Sequence, residues 1–156
     1  VEVRLDRAPH AVAPSCYDEE WIVIRSAALI ALALAVPHLA RADPCTAALP
    51  PAGTVFSGAV RYVGDGDSLC VGPSADPATW IEVRLSDFYA PELAAPGGHE
   101  AKKALSDLAE GKMVRCRAGK RSYDRVVAHC SLNGADLGDQ LRRRGVIEGG
   151  NGWRRR

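Results

Sequence analysis

Several features that would announce a function at once are missing from this 156-residue chain. No Cys-x-x-Cys or His-x-x-x-His spacing occurs, which argues against a structural zinc site. No uncharged apolar run reaches the roughly 18–20 residues needed to span a bilayer. No charge of one sign dominates: 20 Lys+Arg face 19 Asp+Glu for a formal net charge of +1, so global charge does not mark a nucleic-acid binder. There is no internal repeat. The composition, 47% hydrophobic and 25% charged, is that of an ordinary globular protein rather than a disordered or collagen-like chain. The length suits one domain with a tail, not two.

What is present begins with an address. Residues 26–36 (Ser-Ala-Ala-Leu-Ile-Ala-Leu-Ala-Leu-Ala-Val) follow Arg25 and precede Ala40-Arg41-Ala42. This order of positive flank, short apolar run and small-x-small triplet is that of a secretory signal peptide over residues 23–42, with cleavage after Ala42. Residues 1–22 carry five acids and fit no part of it. They read as an upstream extension of the reading frame, with translation starting near Val23. The mature chain is then expected outside the cytoplasm, secreted or periplasmic, as a monomer without stable membrane insertion. Beyond residue 42 there are 16 basic and 14 acidic residues. Six of the bases fall between Lys112 and Arg125 and six among the last 15 residues, so local basic patches are expected on a nearly neutral protein.

Cysteine usage agrees with export. Cys16 lies in the leader, which leaves Cys45, Cys70, Cys116 and Cys130. Four cysteines in an oxidising compartment suggest two disulfides, with three possible connectivities. Cys116–Cys130 is favoured, because both sit midway along successive β-like runs; Cys45–Cys70 would then pin the mature N-terminus to the body.

Residues 43–54 are rich in Pro and Ala and read as an irregular lead-in. Strand-like runs follow at Val55–Val63, Ser68–Val71 and Trp80–Leu85, separated by Gly/Asp and Pro/Asp turns. His99–Glu110 has a helical apolar face (Ala101, Ala104, Leu105, Leu108) and stops at Gly111. Met113–Arg117 and Arg125–Leu132 read as two more strands joined by a basic loop. Asn133-Gly134 is a turn, and Leu137–Arg144 a second helix. This order predicts an α+β domain over residues 55–150: a five-stranded antiparallel β-barrel of the oligonucleotide/oligosaccharide-binding (OB) type, with two to three helices. Residues 151–156 form a basic tail.

Three short patterns carry chemistry. Asp65-Gly66-Asp67-Ser68 lies at a strand-to-strand turn and, alone, is a plain Asp-Gly turn. Arg84-Leu85-Ser86-Asp87-Phe88-Tyr89-Ala90-Pro91-Glu92 is a strand running into a loop with an acid just after Pro. Tyr123-Asp124-Arg125 opens a strand after the basic stretch. In this order, with these elements between them and Leu141-Arg142-Arg143-Arg144-Gly145 after them, they resemble the staphylococcal-nuclease-like (thermonuclease) family over roughly residues 55–150.

That resemblance implies a calcium-dependent endonuclease of low sequence specificity acting on DNA and RNA. By position it makes Arg84 and Arg125 the phosphate-binding arginines, Glu92 the residue that orients or deprotonates the attacking water, and Asp67 a calcium ligand. Tyr89 stands where the family has a second metal-binding aspartate. Asp87 is a doubtful substitute for it, and the backbone carbonyl of Ala90 a further candidate ligand. Another divalent cation could replace calcium. Asp124 replaces the Gly of Tyr-Gly-Arg. Lys112, Lys120, Arg121 and Tyr123 are expected to track the nucleic-acid backbone without reading bases. The rival expectation is an OB module that binds nucleic acid but has lost metal chemistry.

Overall fold

The computed structural model describes residues 43–150 and 152. The leader and signal-peptide readings, and most of the basic tail, lie outside the described residues. The strands are β1 (Val55–Val63), β2 (Ser68–Gly72), β3 (Ile81–Leu85), β4 (Met113–Ser122), β5 (Arg125–Leu132) and the two-residue β6 (Ala135–Asp136). The helices are α1 (Gly98–Ala109), between β3 and β4, and α2 (Leu137–Arg143), after β6; Pro77–Thr79 forms a short 3-10 turn. No helix among the described residues is long and apolar enough to cross a membrane.

The sheet runs β3-β2-β1-β4-β5-β6 and closes through a β3–β5 pairing, giving an OB-type α+β barrel of five strands with β6 as an appendage. One detail departs from the antiparallel expectation: β3 and β5 pair in parallel, Val83 with Val126 and Leu85 with Ala128. The cause is parity. A closed ring of five strands cannot alternate direction all the way round, so one neighbouring pair must run the same way.

Alternation along the strands sends Val60, Leu69, Val71, Val83, Leu85, Val114, Val126 and Ala128 inward, where each is buried. Ala101, Leu105 and Leu108 of α1, at i, i+4 and i+7, close one end of this core, with Leu137 and Leu141 of α2 and Phe88 beside them. Gly111, at φ 74°, ends the helix as its position predicts.

The basic stretch is the second departure. β4 continues to Ser122, so only Tyr123 and Asp124 turn the chain, with Tyr123 at φ 57°. A register shift between Ala118 and Arg121 passes through Gly119, where a Cβ would lie 2.7 Å from the Val127 carbonyl oxygen. Beyond Ala118 the β4 residues 119–122 are exposed or half-buried and add nothing to the core, so the hydrophobic alternation that marks a strand in sequence disappears from β4.

Both favoured disulfides are present. Cys116 and Cys130 are direct cross-strand partners with Cα atoms 4.1 Å apart. Cys45–Cys70 spans 5.7 Å and ties the lead-in to β2. Thiol counting on denatured, unreduced protein should therefore find no free thiol from residues 43–156. Reduction should cost about 2–4 kcal/mol of stability per bridge, read as a lower denaturation midpoint. Two free thiols from this region, or an unchanged midpoint, would contradict the pairing.

Candidate active site

The Asp65–Asp67 turn between β1 and β2 is held from within and from outside. Asp65 Oδ1 accepts from the Asp67 amide at 2.9 Å, and the Asp67 carbonyl accepts from Leu85 N at 2.8 Å. Gly66 is required by close approach: a Cβ there would lie 2.5 Å from the Cβ atoms of both Ala90 and Ala101. The turn is thereby pressed between α1 and the loop after β3. Asp67 is 1% exposed. Its Oδ2 accepts from Ala90 N at 3.0 Å, while Oδ1 meets Arg84 Nη1 as an ion pair at 3.0 Å but accepts no hydrogen bond. Burial first, and then the charge of Asp65, push the Asp67 carboxyl up to about 7, against the pull of Arg84 and the Ala90 amide.

Arg84, Glu92 and Arg125 come from three different segments and line one cleft of about 360 Å³, with Asp65, Ser122, Tyr123 and Gly152. Arg84 lies on β3 opposite Ser68 and beside Val127 of β5. Arg125 opens β5 opposite Ser122, and its buried Nε has no hydrogen-bond partner. Tyr123, on the hairpin tip, is 93% exposed at the rim.

Other expected residues go elsewhere. Asp87 Oδ2 accepts from Gly138 N at 3.1 Å, so it satisfies an amide in the first turn of α2 and does not line the cleft. Lys112 Nζ donates to the Leu108 carbonyl at 2.6 Å, capping α1. Lys120 and Arg121 are exposed on the outer end of β4 and do not line the cleft. The Ala90 carbonyl is turned against Gly150, where a Cβ would collide with it.

Tyr89 anchors a strap. Its carbonyl accepts from Gly149 N at 3.0 Å and Gly150 N at 3.3 Å, and its amide donates to Glu148 at 3.2 Å. Arg142 grips Glu148 through Nε at 3.0 Å and Nη2 at 3.1 Å. The Tyr89 ring packs at the cleft-lining Gly152, where a Cβ would lie 3.0 Å from Cε1.

Sequence reasoning missed two acids near the arginines. Glu82 precedes Arg84 by two residues and so shares its face of β3, a phase relation that could have marked it. Asp43 lies against Gly64, held there by the neighbouring Cys45–Cys70 bridge. Burial, together with nearby acids that include Asp65 and Asp124, raises both carboxyls, while Arg125 lowers both. Arg125 thus stands among acids.

These donors bear on the calcium expectation. Among the described residues no group of three or more His, Cys, Asp or Glu could hold a metal ion. Asp67 does keep a buried carboxylate oxygen without a hydrogen bond, beside Asp65. That oxygen also faces Arg84 Nη1 at 3.0 Å, so a hard cation here would have few protein oxygens and would need water and substrate to supply the rest.

The Asp67 shift has a sign that can be tested. The fold binds this proton up to about pH 7, whereas the ordinary value is 3.8. Between those values the folded state holds more protons, so stability falls as pH rises, by at most about 1.4 kcal/mol per pH unit, and is flat above. Asp43, Glu82 and Asp87 are also raised and act in the same direction. Asp67→Asn, denatured in chelator at about pH 4.5 and about pH 7.5, should lose less stability over that interval than the unchanged protein. An equal loss would assign the titration to the other acids.

No family model matches the chain. It is similar to an uncharacterized endonuclease of Haemophilus influenzae, 40% identical over 70 residues, which are 44% of this chain and 38% of that protein. The chain therefore matches well under half the length of that relative.

Proposed function

We propose that the protein is an exported endonuclease of the staphylococcal-nuclease-like kind, which hydrolyses DNA and RNA with little sequence preference and depends on a divalent cation. The observation that carries this reading is the convergence of Arg84, Glu92 and Arg125 on one cleft beside the buried Asp67. A barrel gains no stability from bringing two guanidinium groups and a carboxylate together at one opening.

The division of labour follows from the side chains. Arg84 and Arg125 offer forked donors to the non-bridging phosphate oxygens, a geometry that Lys cannot copy. Charge on those oxygens grows as water adds to phosphorus, so donors already aimed there stabilise the transition state more than the ground state. Asp67 holds Arg84 in orientation through their ion pair. Glu92 takes the proton of the attacking water. A cation held by Asp67 and Asp65 would supply Lewis-acid polarisation of the phosphate and a more acidic bound water. Calcium is the ion that the resemblance implies.

A second reading, a nucleic-acid-binding module without catalysis, is favoured by one observation: Tyr89 offers no carboxylate where the family has an aspartate, and its hydroxyl turns to the Ser86 carbonyl at 3.5 Å. A DNA-containing gel run with calcium and then with chelator separates the two. Degradation that chelator abolishes supports the nuclease; retention of DNA without degradation supports the module.

Two sets of variants examine the site. Arg84→Ala, Glu92→Ala and Arg125→Ala should each lower kcat/KM by about 100-fold or more with the barrel still folded. Arg84→Lys should recover little, because it keeps the charge and loses the fork. Near-normal rates in all three alanine variants would move the chemistry elsewhere. Tyr89→Asp should bring the cation requirement to lower concentration, at a cost of up to about 1–3 kcal/mol for the lost apolar burial. Superimposable calcium titrations would mean that position 89 has no part in cation binding.

A further inference from the structure

We propose that the outer face of β4 and its neighbours, from Arg115 through Arg117 toward Arg125, is a track on which single-stranded nucleic acid continues beyond the cleft. The inference rests on the nuclease reading for what occupies the cleft.

Charge on this protein is balanced overall, but cations exceed acids along β4; the neighbouring acids are Asp136, paired with His129 of β5 at 2.9 Å, and those near Arg125. β4 and β5 together carry Arg115, Arg117, Lys120, Arg121 and Arg125 and no acid; Asp124, in the turn between them, is the only carboxylate of the hairpin. Cations elsewhere are mostly engaged. Lys103 pairs with Asp107 and Arg142 with Asp139 and Glu148. Arg61 and Lys112 donate to backbone carbonyls, and Lys102 lies over the Tyr62 ring. Among the described residues, Arg115 and Arg117 have no ion pair and no side-chain hydrogen bond, although both are exposed.

Register decides where they point. Arg115 and Arg117 alternate with the buried Val114, Cys116 and Ala118, so both face outward. Arg117 lies between Val55 of β1 and His129 of β5, and Arg115 between Ser57 and Ser131. On β5, Arg125 and Val127 share the outward phase of His129 and Ser131, and Val127 stands beside Arg84. The cleft arginines and the β4 arginines therefore share the barrel's outer surface. Beneath the two rungs, the Cys116–Cys130 bridge ties β4 to β5.

The dimensions suit a strand. Successive outward positions lie about 7 Å apart, and the rung of Arg117 lies about 13 Å along β5 from Arg125. That interval corresponds to roughly four stacked nucleotides. A single row of cations follows one phosphate backbone, and guanidinium forks suit its oxygens. Continuity with a cleft lined by two more arginines favours a polyanionic strand over an anionic membrane.

The test is binding, measured apart from cleavage. A fluorescein-labelled 12-nucleotide oligodeoxythymidine is titrated in chelator against the unchanged protein, Arg115→Ala/Arg117→Ala, and the control Arg143→Ala/Arg144→Ala, which removes the same charge from the end of α2. The β4 variant should bind about tenfold more weakly, with a slope of log affinity against log salt shallower by about 1.4, the contribution of two phosphates on a single strand. The control should stay within about twofold, and an unlabelled duplex should compete less well than the single strand, because one row of guanidinium groups follows one flexible backbone. Four results would overturn the proposal: no binding by the unchanged protein, equal affinity of the β4 variant, an equal loss in the control, or better competition by duplex. So would a β4 variant that loses only its binding to vesicles of anionic lipid. Loss of the cleavage reading through the Arg84, Glu92 and Arg125 variants would leave these binding results standing, so the two failures are distinguishable.

Discussion

The parallel seam between β3 and β5 is the constraint on which the site depends. Four antiparallel pairings take the chain round the barrel, and the fifth must join strands running the same way. At that seam Arg84 stands beside Val127, two residues beyond Arg125, so the two arginines share a face although 41 positions separate them in sequence. The β2–β3 register brings Ser68 opposite Arg84, which sets the Asp65–Asp67 turn at the same end of the barrel. Closure thus gathers the chemistry. Without it, the hairpin tip with Arg125 would lie strands away from Arg84 and the turn, which the β2–β3 register already brings together.

Electrostatics at this end oppose folding and favour ligands. Asp67 is buried, stands next to Asp65, and is only partly compensated by Arg84 and one amide, so its carboxyl is driven toward the neutral form. Arg125 lies among Asp43, Glu82 and Asp124. An arrangement in which like charges crowd one cleft is costly in the free protein. It persists because the surrounding packing over-determines it, with Gly66 clamped between Ala90 and Ala101 and a disulfide fixing the segment after Asp43. A cation bound among these carboxylates would relieve the crowding, whereas a phosphate alone would add to it.

Most of the barrel was legible because its signals are local. Alternation with turn residues marked all five strands, the spacing of Ala101, Leu105 and Leu108 marked α1, and midway positions on adjacent runs marked Cys116–Cys130. What stayed hidden is non-local. Nothing in the composition of β5 says that it will run parallel to β3. Polar residues after Ala118 read as a loop because hydrophobic alternation reports burial, and that part of the hairpin is not buried. At the site, motif order brought Arg84, Glu92 and Arg125 to attention, and they do line one cleft. Asp87 and Lys112 each engage a helix end, a demand invisible in sequence until the helix is packed against them. Asp43 was missed because what brings it near is non-local: the Cys45–Cys70 bridge and the bonds from the Thr46 and Ala47 amides to the Pro77 and Trp80 carbonyls.

Tyr89 is held in place chiefly through its main chain. Its backbone amide and carbonyl are both engaged by residues 148–150, and Arg142 locks Glu148 in place from α2. These bonds use main-chain atoms at position 89, so they do not require a tyrosine. The ring adds the contact with Gly152, on the wall of the cleft. A carboxylate there would stand one residue before the Ala90 amide that donates to Asp67, and would add a further acid to an end of the barrel already rich in them. A neutral phenol avoids that cost and covers the strap with apolar surface. On the proposed reading, a carboxylate at position 89 would trade stability of the free fold for tighter cation binding, with the strap's main-chain bonds common to both.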